Sequence, residues 1–300
     1  MYNLTRALAR QGVGTLYLNP LSRDRFGRAL AQALAQEGVR LAQPEPVVEP
    51  TALAVVQLDA AGHPDYAFYR NGVADRSLDA ALLNGACARV PTLELVCTGA
   101  LALAPDDAAI YLPWLAAQHA AGRVVVIDAN LRPSVVPDLV RYRAHVLQAL
   151  QYADLIKVSD EDLAVLAVPG ADAPKQARYL LAHSRAGCLA LTLGAKGAML
   201  LTRQGPSWAA CEAEAVTVVD TVGAGDCFLA GLVQAWLAHG LTPGWGTAAV
   251  RTEVAQDLLA NALASASLCV MQRGCVPPSR SAVQARRHSV RLNFSSGGLL

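Results

Sequence analysis

Short runs that are apolar at every position alternate along this chain with longer stretches in which apolar residues recur every three or four positions. Leu95–Cys97, Val124–Ile127 and Leu155–Val158 are continuous apolar runs, as expected of strands buried on both faces. Leu189–Leu193 and Ala198–Thr202 extend the series, and helical spacing fills the intervals near 107–121, 136–151 and 174–184. Ahead of these, residues 3–11 read as a helix stopped by Gly12, and Thr15–Leu18 as a short strand. Asp24 can cap a helix whose Phe26, Leu30, Ala33 and Leu34 share a face and which ends at Gly38. Leu53–Leu58 and Tyr66–Arg70 flank Asp59-Ala-Ala-Gly-His-Pro-Asp65, the one clear hairpin signal. Leu258–Val270 is the most apolar stretch, but Asn261, Ser265 and Ser267 interrupt it, so it predicts a buried helix. Alternating strands and helices predict an α/β fold with a mostly parallel sheet covered on both faces.

Composition narrows the function. At 300 residues and 53% hydrophobic content, the chain can bury a sizeable core. A net charge of +1 gives no reason to expect nucleic acid or an anionic membrane as partner. No apolar run is long enough to span a bilayer, and the N-terminus lacks a signal-peptide core. Seven cysteines (87, 97, 188, 211, 227, 269 and 275) occur without a Cys-x-x-Cys pair. Such an odd, unpatterned set fits a reducing cytoplasm and argues against both a disulfide framework and a zinc site.

Residues 220–228, Asp-Thr-Val-Gly-Ala-Gly-Asp-Cys-Phe, carry the chemistry. The β-branched run Val216–Val219 predicts a strand feeding this segment, and Phe228, Leu229, Leu232, Val233, Trp236 and Leu237 predict a helix leaving it. Gly223 and Gly225 then stand at a strand-to-helix turn, where bare backbone lets an anion approach the free amides of the first helical turn. Asp226 would repel that anion unless it serves as a general base toward an attacking hydroxyl. Ordinary helix capping also explains Gly-Ala-Gly-Asp taken alone.

The wider segment, Asp220-Thr-x-Gly-Ala-Gly-Asp-x-Phe228, closely resembles the C-terminal signature of the ribokinase-like (PfkB-type) carbohydrate kinases. Further segments in the family's order accompany it: Arg23-Asp-x-Phe-Gly27, Glu49-Pro50-Thr51, Tyr66-x-Phe68-Tyr69-Arg70 with Ala74-Asp75, and Asp128-Ala-Asn130-Leu-Arg132-Pro133. Lys157-Val-Ser159-Asp160-Glu161-Asp162-Leu163 and Thr192-Leu-Gly194-Ala-Lys-Gly197 complete the set. The resemblance runs from Asn3 to about Pro278, and the sugar-side segments are similar to those of the fructokinase-like branch.

This resemblance implies a ribokinase-like three-layer αβα fold with a mostly parallel central sheet and a small β lid near 50–72. The kinase domain is then 1–285, with 286–300 a disordered tail. It implies Asp226 as catalytic base and Gly223, Ala224 and Gly225 as the anion hole for the transferred phosphoryl group. Lys157, Thr192, Gly194, Gly197 and Asn261 would surround ATP; Asn3, Phe68, Arg70, Asn130 and Arg132 would contact the sugar. Asp162 would hold water around Mg²⁺, and Asp220 would stand beside a potassium ion. Plainer accounts stay open beside these. The hairpin can be an ordinary exposed strand face, Asp128 and Arg132 can merely brace a loop, and acids at 160–162 suit any helix start. Gly194 and Gly197 can serve a tight turn, and Asn261 can be a hydrogen-bonded core residue.

One departure stands out. Relatives open with a strand carrying a sugar-binding Asp, then lid strands, then Gly-Gly-x-x-x-Asn, whereas this chain opens at Met1-Tyr2-Asn3, inside that last motif. The expectation is therefore an incomplete lid and a poor kinase. Three functions remain: an ATP-dependent kinase acting on a primary sugar hydroxyl, fructose first; a 2-keto-3-deoxygluconate kinase, with Arg70 and Arg132 binding a carboxylate; and a non-catalytic sugar- or nucleotide-binding remnant. A homodimer through the lid and a cytoplasmic setting accompany the kinase readings.

Overall fold

Along Val124–Asp128 every residue is buried, and the alternation of these side chains organises the molecule. Val125 and Ile127 pack into a cluster with Trp114, Leu115, Tyr142, Val146, Leu163 and Leu180. Val124 and Val126 face the other way, toward Leu4, Leu8, Phe228, Leu232, Trp236 and Leu258. The two clusters cover opposite faces of one sheet, which makes a three-layer αβα architecture. The computed structural model describes residues 1–300 apart from 59–63, 213–214, 290–291 and 297–300.

In chain order, α1 (Tyr2–Arg10), β1 (Leu16–Tyr17), α2 (Arg25–Gln36) and β2 (Arg40–Leu41) precede a hairpin of β3 (Leu53–Leu58) and β4 (Pro64–Tyr69). Then come α3 (Ala80–Ala88), β5 (Leu95–Gly99), α4 (Ala108–Ala120), β6 (Val124–Asp128), α5 (Leu139–Ala149), β7 (Leu155–Ser159), α6 (Asp160–Leu166) and α7 (Ala173–Ala182). The chain continues through β8 (Cys188–Thr192), β9 (Ala198–Thr202), β10 (Ser207–Glu212), α8 (Ala224–Ala238), α9 (Thr252–Val270), α10 (Arg280–Ser289) and β11 (Leu292–Ser296).

The sheet order is β11-β10-β9-β8-β7-β6-β5. Strands β5 to β8 are mutually parallel, and β8 to β11 continue the sheet antiparallel. The parallel strands are the continuous apolar runs of the sequence, and their C-terminal ends share one edge. Helices α8 and α9 touch backbone to backbone at Gly231, where a Cβ would lie 2.4 Å from the Asn261 carbonyl oxygen. Any larger residue at 231 would force the two helices apart.

Three local expectations are corrected. Residues 215–221 form no strand. The amides of Val219 and Asp220 donate to the Val270 carbonyl instead, at 2.8 and 3.2 Å, so they close the C-terminus of α9 rather than a ladder. The tail is ordered in part: α10 packs on α9, Arg286 pairs with Glu212, and β11 occupies the edge of β10 that would otherwise expose unpaired backbone. Phe26 is 57% exposed, because it stands in the first turn of α2, beyond the cluster of Leu21, Leu34 and Val39.

Candidate active site

Helix α8 starts without a side-chain cap. Its N-cap is Gly223, at φ +81° and in the left-handed region. Its first turn therefore has no side-chain acceptor, although the Ala224 amide donates to the Thr221 carbonyl at 3.1 Å. Asp226 lies in that turn, half-buried, and receives one long hydrogen bond, from Asn3 Nδ2 of α1 to Oδ2 at 3.3 Å. Two elements far apart in sequence thus meet at the carboxylate.

The neighbouring strand ends add charge. Asp128 ends β6 and pairs in register with Lys157 of β7. The Lys157 ammonium lies 3.0 Å from Asp128 Oδ1, and both side chains are almost fully buried. A Cβ on Gly225 would stand 3.1 Å from Lys157 Nζ, so this ammonium abuts the glycine turn. Burial pushes the Asp128 carboxyl up to about 6, against the pull of Lys157, and Oδ2 has no hydrogen-bond partner among the described residues. Burial alone would lower Lys157, but Asp128, Asp162 and Asp226 outweigh it and raise its pKa. One cation is thus held protonated among three carboxylates.

Asp162 is used differently from expectation. It closes a capping box in α6: Oδ2 accepts from Ser159 N–H at 2.9 Å, and Ser159 Oγ accepts from Asp162 N–H at 3.0 Å. Its Oδ1 accepts from Leu131 N–H at 2.7 Å, pinning the 130–132 loop to the start of α6. Each Asp162 oxygen accepts one amide hydrogen bond, and the residue is 5% exposed. Asp160 and Glu161 point to solvent instead. Asp220 is likewise a brace: Oδ1 takes the Val222 amide at 3.0 Å and Oδ2 the Gly274 amide at 2.8 Å. These bonds hold its carboxyl below the usual range.

The remaining candidates divide into two groups. Thr192 ends β8 in register with Ser159 and donates to the Val158 carbonyl at 3.4 Å. Gly194 and Gly197 turn the chain into β9, and a Cβ at Gly197 would lie 2.2 Å from the Ala210 carbonyl oxygen. Asn130, at φ +37°, and Arg132 follow β6. Asn261 is removed from the set: it is 1% exposed, and its amide bonds Asp257 and Gln284 within the packing of α9 and α10.

On the sugar side, Phe68 is half-buried on β4 opposite Ala54, while the Tyr66 side chain lies outside the described residues. Arg70 and Arg132 line one cavity of about 840 Å³ along the β5 edge, with Asn19, Asp75, Asp107 and Tyr111. Asp226 is not among its lining residues, although Tyr2 and Leu4 on either side of Asn3 are. Both guanidinium groups are engaged. Arg70 pairs with buried Asp107 at 3.1 Å, which also holds Arg76, and Arg132 donates to the carbonyls of Asn130 and Leu131. Asp107 was missed by sequence reasoning, as was the ion pair that joins Asp128 to Lys157, a residue expected only beside ATP; the register of β6 on β7 is the signal that links the pair.

A loop-to-helix turn bearing an uncapped Gly-Ala-Gly-Asp, beside a buried lysine at a parallel strand end, agrees with comparison to known proteins. The family model described as "pfkB family carbohydrate kinase" matches residues 2–282. The chain belongs to the PfkB carbohydrate kinase family. The fructokinase of Rhizobium leguminosarum bv. trifolii is 32% identical over 237 residues, covering 78% of this chain and 69% of the relative. Probable fructokinase-6, chloroplastic, of Arabidopsis thaliana is 28% identical over 289 residues, 94% of this chain and 72% of the relative. Among solved structures, Xylella fastidiosa fructokinase with bound ATP superposes with a TM-score of 0.80 at 24% identity, covering 96% of this chain and 89% of that one. At that identity the likeness speaks for the ribokinase-like fold. As a PfkB protein the chain is a sugar kinase.

Proposed function

We propose that this PfkB kinase transfers the γ-phosphoryl group of ATP to a primary hydroxyl of fructose. The observation that carries the reading is Asp226, set within the side-chain-uncapped first turn of α8, where its one hydrogen bond among the described residues is the 3.3 Å bond from Asn3. In this arrangement Asp226 takes the proton of the attacking hydroxyl as the oxygen advances on phosphorus. The amides of Gly223, Ala224 and Gly225 receive the charge that gathers on the equatorial oxygens, and Lys157, next to Gly225, adds a full positive charge. Thr192 with the Gly194–Gly197 turn would border the nucleotide. Mg²⁺, when bound with ATP, would neutralise phosphate charge, and Asp162, whose oxygens also brace the 130–132 loop and the start of α6, would reach it only through water.

Fructose is favoured over a sugar acid because Arg70 and Arg132 are already engaged by Asp107 and by loop carbonyls. A 2-keto acid would need at least one guanidinium free to form a forked pair with its carboxylate. The β3–β4 hairpin is proposed as the lid, and its exposed Leu53, Val55 and Tyr69 as the face through which two chains pair, a state that light scattering would read directly. A monovalent-cation site near Asp220, in a cytoplasmic setting, would show as higher turnover in potassium than in tetramethylammonium salts. The deciding assay follows ADP release from MgATP with fructose and with 2-keto-3-deoxygluconate. The proposal expects the higher kcat/KM with fructose. Preference for the sugar acid, or nucleotide binding without phosphorylation of any sugar, would overturn it.

A further inference from the structure

The sequence spacing of the cysteines argues against a zinc site, but the fold gathers three of them. Cys227 lies in the first turns of α8, Cys269 near the C-terminus of α9, and Cys275 in the loop after it. Their three sulfur atoms all lie within 4.8 Å of one another. Among the described residues this is the one group of three or more Cys, His, Asp or Glu side chains placed to hold a metal ion. All three are free thiols; Cys227 and Cys269 are fully buried and Cys275 is partly exposed. The cluster touches the catalytic turn. A Cβ at Gly223 would stand 2.1 Å from Cys275 Sγ, and the Cys269 thiol donates to the Val222 carbonyl at 3.6 Å.

We propose that Cys227, Cys269 and Cys275 bind one Zn(II) ion against the Gly223–Gly225 turn, with solvent entering beside Cys275 as the fourth ligand. Zinc–sulfur bonds of about 2.3 Å in a tetrahedron place sulfurs about 3.8 Å apart, so the three thiols need to close by about 1 Å at most. Three thiolates and one water form a soft donor set that selects zinc over hard cations such as Mg²⁺. Each thiol proton passes to solvent as its sulfur bonds the metal, and no electrons move. The single negative charge left on the zinc–thiolate unit lies at the N-terminal end of α8, where the helix dipole stabilises it. This site is separate from the sugar-kinase reading and stands or falls without it.

The test uses the reduced, chelator-stripped full chain. Native mass spectrometry with Zn(II), and Cd(II) titration followed by the thiolate-to-metal charge-transfer band, should each saturate at about one ion per chain. Cys275→Ser and Cys269→Ser should each weaken binding about tenfold or more, with the other four cysteines intact. Should either variant fail to fold, Zn(II) protection of Cys275 in the unaltered protein from iodoacetamide, read on the peptide, supplies the same answer. Binding that survives both substitutions, no uptake beyond that of a C227S/C269S/C275S chain, or alkylation of Cys275 unaffected by zinc would each overturn the proposal.

Discussion

Helices α6 and α8 both begin at the edge of the sheet where the parallel strands end, and both carry an acid in the first turn. They are put to opposite uses. At α6 the N-cap is Ser159, and Asp162 gives both oxygens to amides, so the turn is closed and the acid holds the 130–132 loop in place. At α8 the N-cap is Gly223, no side chain occupies the amides, and Asp226 has one long bond to Asn3. A helix start whose acid is spent on its own cap is structure, and one with no side-chain cap beside an under-bonded acid is a place for chemistry. Lys157 belongs to both, since Asp162 and Asp226 both act on it.

The largest effect on stability is expected where the two starts meet. Lys157→Met leaves Asp128 buried without its counter-charge and should cost about 3–5 kcal/mol in denaturant unfolding near neutral pH. Because burial raises the Asp128 carboxyl to about 6 in the folded state, above its unfolded value, the folded protein binds that proton more tightly. Lys157 lowers that pKa, so its removal raises it further; the penalty relative to the unaltered protein should shrink as pH falls from about 8 to about 6, and a penalty unchanged across that window would separate Asp128 from the effect. Next, Asp162→Ala removes the closed cap and frees the Leu131 amide; about 2 kcal/mol of stability should go, with turnover reduced less than the fold. Loss of turnover at full thermal stability would erase the contrast between the two helices. Gly223→Ala is the smallest change. It places a side chain at φ +81° against Cys275 Sγ and should cost about 1–2 kcal/mol, seen as a lower melting temperature together with reduced turnover.

The sequence made the parallel strands legible because burial on both faces leaves no polar position in them, as in Val124–Ile127. The hairpin was legible from its turn residues, and Asp226 from the glycines before it. Other features depended on distance in three dimensions. Helix α3 is apolar on nearly every side and shows little periodicity, and β11 is defined by the edge it covers. The valines at 216–219 have strand-like chemistry, yet the Val219 amide, with that of Asp220, closes the end of α9 instead. Asp162 and Asp226 share a residue type and a helix position; only the capping partner separates them. Ser159, three residues before Asp162, was that signal, and it was outweighed by the expectation of a metal ligand. Asn261 illustrates the same limit, since an apolar helix does not reveal which of its polar residues meets solvent.

The most direct measurement compares Asp226→Asn with the unaltered protein in two readouts: fructose-dependent ADP release, and calorimetric affinity for a non-hydrolysable ATP analogue. Asp226 as the base for an open anion turn predicts that turnover falls about 10²–10⁴-fold while nucleotide affinity and thermal stability stay within a few-fold of wild type. Turnover retained in the Asn variant, or turnover and nucleotide affinity lost together, would contradict it.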